Sequence, residues 1–200
     1  MKPLLTKIHR CAWIATCLAG SIILAGCAHP ISIEAKSVPN REAQWSPKKV
    51  AYVMTEADRK KEVTTQGGGG DKISYHPYRD FERALRAALA SVYTDVSVVT
   101  SASDAAAIQA SGASFVYRPE ISTTSSSPSP FTWPPTKFSV NVLVEIFDPQ
   151  ATLVARLQVT GNGNAEWEEF KSDFGLAGRR AVEDAARALV NEIKHTESLR

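Results

Sequence analysis

Four groups of residues have types that could do chemistry. Ser74, His76 and Asp80 fall in one short stretch and are the residue types of an acyl-transfer site. Near a helix start, His and Asp also cap backbone groups or stay solvated, and spacing alone gives no catalytic geometry. Glu166, Glu168 and Glu169 flank Trp167. Paired carboxylates beside an aromatic ring are the parts of a glycosidase cleft, and equally of a solvated segment with one anchoring ring. Gly67, Gly68, Gly69 and Gly70, with Lys72 and Ser74, have the composition of a phosphate loop. However, Asp71 and Ile73 interrupt the Gly-Lys-Ser/Thr run that such a loop needs. His29, His76 and His195 are far apart, and no Cys/His/Asp cluster has metal-ligand spacing. The reading is a non-enzyme with no catalytic residue, no metal and no cofactor.

Phe131 and Trp133 suit contact rather than catalysis. They lie between Pro130 and Pro134-Pro135, and prolines stiffen a loop and lower the entropy lost on binding. Compact aromatic rings are efficient contact area. Two readings stay open: a partner contact, or a lid folded back over a sheet edge or the core.

The remaining reactive group is Cys27. Lys2, Lys7 and Arg10 precede it with no acid among the first ten residues, and an apolar run over 11–24 follows. That run is shorter than the ~20 apolar residues of a transmembrane helix. A basic start, a short apolar run and small residues before a cut describe a secretory signal. Leu24-Ala25-Gly26-Cys27 resembles the lipobox of bacterial lipoproteins. The resemblance implies a Cys diacylated on sulfur, cleavage before it and acylation of the new amine. Because Ala28 follows instead of Asp, it also implies sorting to the cell outer membrane, with the domain facing the periplasm.

Loss of the signal removes Lys2, Lys7 and Arg10 from 23 basic residues, leaving 20 against 21 acidic ones. A near-neutral chain lacks the basic footprint of a nucleic-acid binder. Cys11 and Cys17 leave with the signal, and no thiol remains for a disulfide once Cys27 is acylated. The core must therefore supply the stability.

These groups must be positioned by a small set of elements. Residues 28–49 are polar, hold Pro30, Pro39 and Pro47, and read as a flexible tether. Trp45 is the large ring in it, expected to pack on the domain edge. Val50 to Met54 is a short apolar run, a buried strand. The polar stretch 55–72, ending in four glycines, reads as a mobile loop. Pro77 opens a helix over 77–92, with Phe81, Leu85, Ala88, Leu89 and Val92 on one stripe. A strand over 93–100, a short alanine-rich helix capped by Ser103-Asp104 and closed by Gly112, and a strand from Phe115 follow. The Ser/Pro-rich stretch 122–135 reads as a loop.

Over 138–147, Phe138, Val140, Val142, Val144 and Ile146 share one face, so that face should meet the core. A turn at Asp148-Pro149 returns an antiparallel strand over 153–160, and Gly161 to Asn164 marks its end. A second amphipathic helix, 179–195, closes the chain.

This order behind a lipobox, with the Phe-x-Val-x-Val-x-Val-x-Ile strand and an alanine-rich last helix, resembles the YajG-like bacterial lipoproteins. More distantly, it resembles the anticodon-binding-domain-like modules of envelope lipoproteins. The likeness spans 49–197 and implies an accessory or binding domain without catalytic residues. The expected fold class is α/β: a two-layer sandwich of one mixed sheet of about five strands, with the two longer helices on one face. The expected organisation is a signal at 1–26, a lipidated tether at 27–48 and one periplasmic domain at 49–200. The expected partners are the membrane, through the anchor, and an envelope protein or peptidoglycan. The alternatives are a cell-wall hydrolase and a carrier of a small apolar ligand.

Overall fold

The computed structural model describes residues 28–39, 45–128 and 134–199. In chain order the elements are β1 (His29–Pro30), β2 (Ser46–Val53), α1 (Glu56–Lys60), β3 (Val63–Gln66), β4 (Lys72–Tyr75), α2 (Pro77–Val92), β5 (Tyr93–Val99), α3 (Ala105–Ser111), β6 (Phe115–Ser126), β7 (Lys137–Phe147), β8 (Leu153–Asn164), α4 (Trp167–Phe170) and α5 (Leu176–His195), with a 3-10 turn at Glu197–Leu199.

The main sheet has the order β5-β2-β6-β7-β8. Its first three strands are parallel and the rest antiparallel, so it is mixed. In β7 the apolar positions alternate, and Phe138, Val140, Val142, Val144 and Ile146 are all buried. Helices α2 and α5 pack on that face, with Phe81, Leu85, Leu89, Val182, Leu189 and Ile193 in one core with it. The expected two-layer α/β arrangement is therefore present. The short helix α3 lies on the opposite face, where Ala51, Val99, Ile108, Ala113 and Val116 form a second, smaller core.

Three expectations are corrected. The stretch 55–72 is not a mobile loop. It forms α1, fixed by a capping box between Thr55 and Asp58, and then the β3–β4 hairpin. The glycines form its turn: Gly67 N–H donates to Asp71 O and Asp71 N–H to Gly68 O, while Gly69 and Gly70 take positive φ. Glycine reaches that region at no steric cost, so the glycine run closes a tight turn. Together with β1, this hairpin makes a three-stranded sheet, β1-β4-β3.

The Ser/Thr stretch is strand as far as Ser126, because β6 runs on past the end of β2 beside β7. Its hydroxyls hold the small sheet: Thr65 Oγ1 and Ser125 Oγ are 2.6 Å apart, as are Tyr75 Oη and Thr123 Oγ1. Finally, β8 continues through Gly161 and Gly163 to Asn164. There α5 lies directly on the strand: a Cβ at Gly161 would sit 2.1 Å from Ala181 O, and one at Gly163 would sit 2.0 Å from Ala177 O. Those glycines permit close helix–strand approach instead of ending the strand.

Candidate functional site

The arrangement that bears most on function is the segment directly after Cys27. Residues 28–39, expected as a flexible tether, form a strap fastened across the helices. His29 and Pro30 pair in parallel with Ile73 and Ser74, and Ile31 N–H donates to Ser74 O. Ile33 and Ala35 are buried in the main core. Space for the strap comes from α5 and the residue that caps it: a Cβ on Gly178 would lie 2.2 Å from Ile33 Cγ2, and one on Gly175, just before the helix, would lie 1.9 Å from Ser32 O.

The strap backbone is held by side chains from both helices. Asp80 of α2, itself buried, accepts from Ile33 N–H at 3.1 Å. Glu183 of α5 accepts from Lys36 N–H at 3.1 Å and Ser37 N–H at 2.9 Å. Arg179 donates to Glu34 O at 3.0 Å and pairs with Asp173, which also pairs with Lys36 at 3.0 Å. Burial pushes the Asp173 carboxyl up, but hydrogen bonding from Lys36 and the Arg179 charge outweigh it and hold it below the ordinary range.

The strap fixes one end of the molecule. His29 Nε2 stands 3.7 Å from Asp71 Oδ2, so the entering chain lies beside the β3–β4 turn. Ser126, Lys137 and Asn164 meet at this same end, as successive register partners of β6, β7 and β8. The α4 turn and the start of α5 complete it. An open groove of about 540 Å³ lies here, lined by Pro128, Lys137, Ala165, Glu166, Trp167 and Phe170 among others. Phe170 is buried, with Trp167 against it edge-on at 5.4 Å between ring centroids. Trp167 is 58% exposed and Phe174 43%. A second cavity, of about 370 Å³, lies beyond the carboxyl ends of β2 and β5, near Val53, Ser103, Arg118 and Phe147.

The chemical candidates do not assemble into catalytic geometry. The Asp80 carboxylate is occupied by Ile33 N–H and by Arg79 Nε at 3.1 Å, while Ser74 is strand β4 and His76 precedes α2. Glu166 and Glu169 close a capping box around α4, and Arg180 grips Glu169 through both terminal nitrogens. Hydrogen bonding from Arg180, then from the Glu166 backbone, pulls the Glu169 carboxyl down to about 2. A glycosidase acid needs the opposite shift. Glu168 pairs with Lys171. Among the described residues, no group of three or more His, Cys, Asp or Glu is placed to hold a metal. Trp45 packs partly buried on the core. The lipobox residues Leu24, Ala25, Gly26 and Cys27 and the contact candidates Phe131 and Trp133 lie outside the described residues.

Sequence reasoning missed the strap. Its one signal was the alternation Ile31-Ser32-Ile33-Glu34-Ala35, two apolar residues and an alanine at strand period in a proline-bearing, polar context.

No family model matches the chain, and no curated protein matches it. Among solved structures, protein XCC0632 from Xanthomonas campestris, of family model DUF330, superposes with a TM-score of 0.52 at 10% identity, over 82% of this chain and 93% of that one. A protein from Helicobacter pylori described as a candidate neuraminyllactose-binding hemagglutinin homolog gives 0.45 at 11% identity, over 83% and 94% of the two chains. One from Caulobacter crescentus CB15 described as a candidate lipoprotein gives 0.31 at 13%, over 47% and 75%. The first of these likenesses is one of fold: this chain shares the α/β architecture of the Xanthomonas protein.

Proposed function

We propose that this chain is a lipid-anchored envelope protein whose α/β domain acts by contact and not by catalysis. The observation that carries the reading is how soon after Cys27 the chain is paired into the domain. The chain is fastened into the domain from His29 onward, so a cut before Cys27 leaves every described element intact and puts the proposed acylated residue two positions before the first paired one. Each buried methylene of an acyl chain adds ~0.8 kcal/mol of membrane affinity, and several chains anchor stably. Among the described residues, no helix is long and apolar enough to cross a membrane. Ala28 after the Cys favours the outer membrane with the domain facing the periplasm, in keeping with the YajG-like resemblance. Cys27→Ser tests the anchor: acyl labelling and membrane fractionation should both be lost. Persistence of both would overturn the reading.

For the contact itself, the partner is an envelope protein or peptidoglycan, and Phe131 and Trp133 are its proposed contact residues. Phe131→Ala with Trp133→Ala should leave thermal stability nearly unchanged and weaken partner capture. A loss on the scale of core aromatic truncation, ~3–5 kcal/mol each, would assign the rings to the fold instead. The groove beside Trp167 and Phe170 favours a second reading, a carrier of a small apolar ligand, since its volume falls in the range of ligand sites. Lipid co-purifying with the full chain would support that. The hydrolase alternative, which rests on Glu166, Glu168 and His76, is less well supported: Glu168 pairs with Lys171, and Glu166 caps the backbone of α4.

A further inference from the structure

We infer that the domain does not hang from the membrane on a tether but is seated on it by one end, with Trp167 and Phe174 in the lipid interface. The inference rests on the anchor reading above and says what that anchor does to the domain. Consecutive Cα atoms are 3.8 Å apart. Cys27 is therefore one peptide unit from Ala28, and the next residue is already paired with Ile73. The acylated residue has no slack: the end of the domain that carries β1, the β3–β4 turn, Lys137 and α4 must lie against the headgroups.

That end is built for such a position. Four large apolar side chains are exposed among the described residues, and Trp167 and Phe174 are the two that carry aromatic rings. Both lie on the short stretch between β8 and α5, at this end. Indole and phenyl rings with wet surroundings are the groups that settle at the boundary of hydrocarbon and water. Three of the acids around them are paired in place, Glu168 by Lys171, Glu169 by Arg180, and Asp173 by Arg179 and Lys36, while Glu166 caps the backbone of α4. A bilayer with anionic lipid would therefore meet little net repulsion there. The opposite end presents the turn after β7, at Asp148 and Gln150, and lies roughly 35 Å away along the eleven residues of β7 at ~3.3 Å per residue.

The test uses the full chain, processed and acylated in cells, purified and reconstituted in vesicles of phosphatidylethanolamine and phosphatidylglycerol. Ser172→Cys and Gln150→Cys each place one nitroxide label at an exposed position, at opposite ends of the domain. Mass spectrometry establishes acylation of Cys27 in the same samples. The label at 172 should be relaxed more by lipid-soluble oxygen than by a water-soluble nickel chelate, and the label at 150 the reverse. In the Ser172→Cys background, Trp167→Ala with Phe174→Ala should shift the 172 label toward the aqueous reagent by severalfold. An acylated chain in which both labels report water would overturn the seated arrangement while leaving the anchor intact. A chain without acyl groups would overturn the anchor reading and this one with it.

Discussion

The β7–β8 hairpin and the strap are both pressed against α5, yet they are held by different forces. The hairpin is held by area. Its inward positions are apolar at strict strand period, and Gly161 and Gly163 let the helix backbone come down onto it. The strap buries Ile33 and Ala35 but is placed by hydrogen bonds between its backbone and charged side chains: Asp80 and Glu183 accept from its N–H groups, and Arg179 donates to Glu34 O. Apolar burial is non-directional and tolerates small shifts, whereas a carboxylate on a backbone N–H fixes register. The hairpin thus sets the stability of the domain, and the strap sets where the chain enters it. That entry point decides how the domain meets whatever holds its N-terminus.

The contrast can be broken at the hairpin first, where the effect is largest. Val142→Asp places an unpaired charge at a fully buried position between Ile121 and Val159. It should cost about 4–5 kcal/mol and, in a domain of marginal stability, abolish cooperative folding. Asn141→Asp points to the other face, among Ser122, Gln158 and Thr160, and should cost about 0.5 kcal/mol. Thermal unfolding of the two variants measures the difference, and equal melting temperatures would mean that the face assignment is wrong.

Alkali probes the same apolar region less severely. Tyr93 and Tyr117 donate and accept between hydroxyls 2.6 Å apart, both buried. Burial, offset in part by hydrogen bonding from Tyr117, pushes the Tyr93 phenol up to about 12, and burial pushes Tyr117 well above its usual range. The unfolded phenols ionise near pH 10 while the folded ones keep their protons. Stability should therefore fall as pH rises from about 10 to 12, by ~1.4 kcal/mol per pH unit per group. Denaturant unfolding across that window checks the slope. Tyr93→Phe should flatten it, and an unchanged slope would count against the buried pair.

Acid acts on the strap, and more weakly. Asp173 is held below its ordinary range in the fold, so its contribution is present above the unfolded value near 3.9 and is lost as pH falls through the lower folded value. As pH falls through that lower folded value, the Lys36 and Arg179 contacts should loosen while the hairpin stays intact. Asp173→Asn should show the same loosening at neutral pH, read as faster proteolysis near Lys36 with little change in melting temperature. Unfolding of both regions together on acidification would remove the distinction.

Which parts were legible in the sequence follows from the same contrast. The β7 face, the stripe of α2 and the cap of α3 by Asp104 were readable because one local pattern determines each. The small sheet was not readable. Val63 to Gln66 has no apolar alternation, and beyond its pairing with β4 the strand is tied to the main sheet by a hydroxyl contact between Thr65 and Ser125, sixty positions away. The continuation of β8 through two glycines depends on how close α5 comes, which is a tertiary fact. The strap was the hardest. The partners that fix it, Asp80 and Glu183, are 47 residues or more distant, and Asp80 suggested catalysis before it suggested a clasp.

The central claim is that the chain after Cys27 is part of the fold. Amide hydrogen exchange on the full chain tests it most directly. Ile31, Ile33, Lys36 and Ser37 each donate their N–H to a named acceptor. They should exchange many times more slowly than an unstructured peptide. Gly178→Ala, which drives a methyl into Ile33, should collapse protection at those four residues while amides of β7 and β8 keep theirs. Exchange at free-chain rates across 31–37 in the unaltered protein would contradict the account.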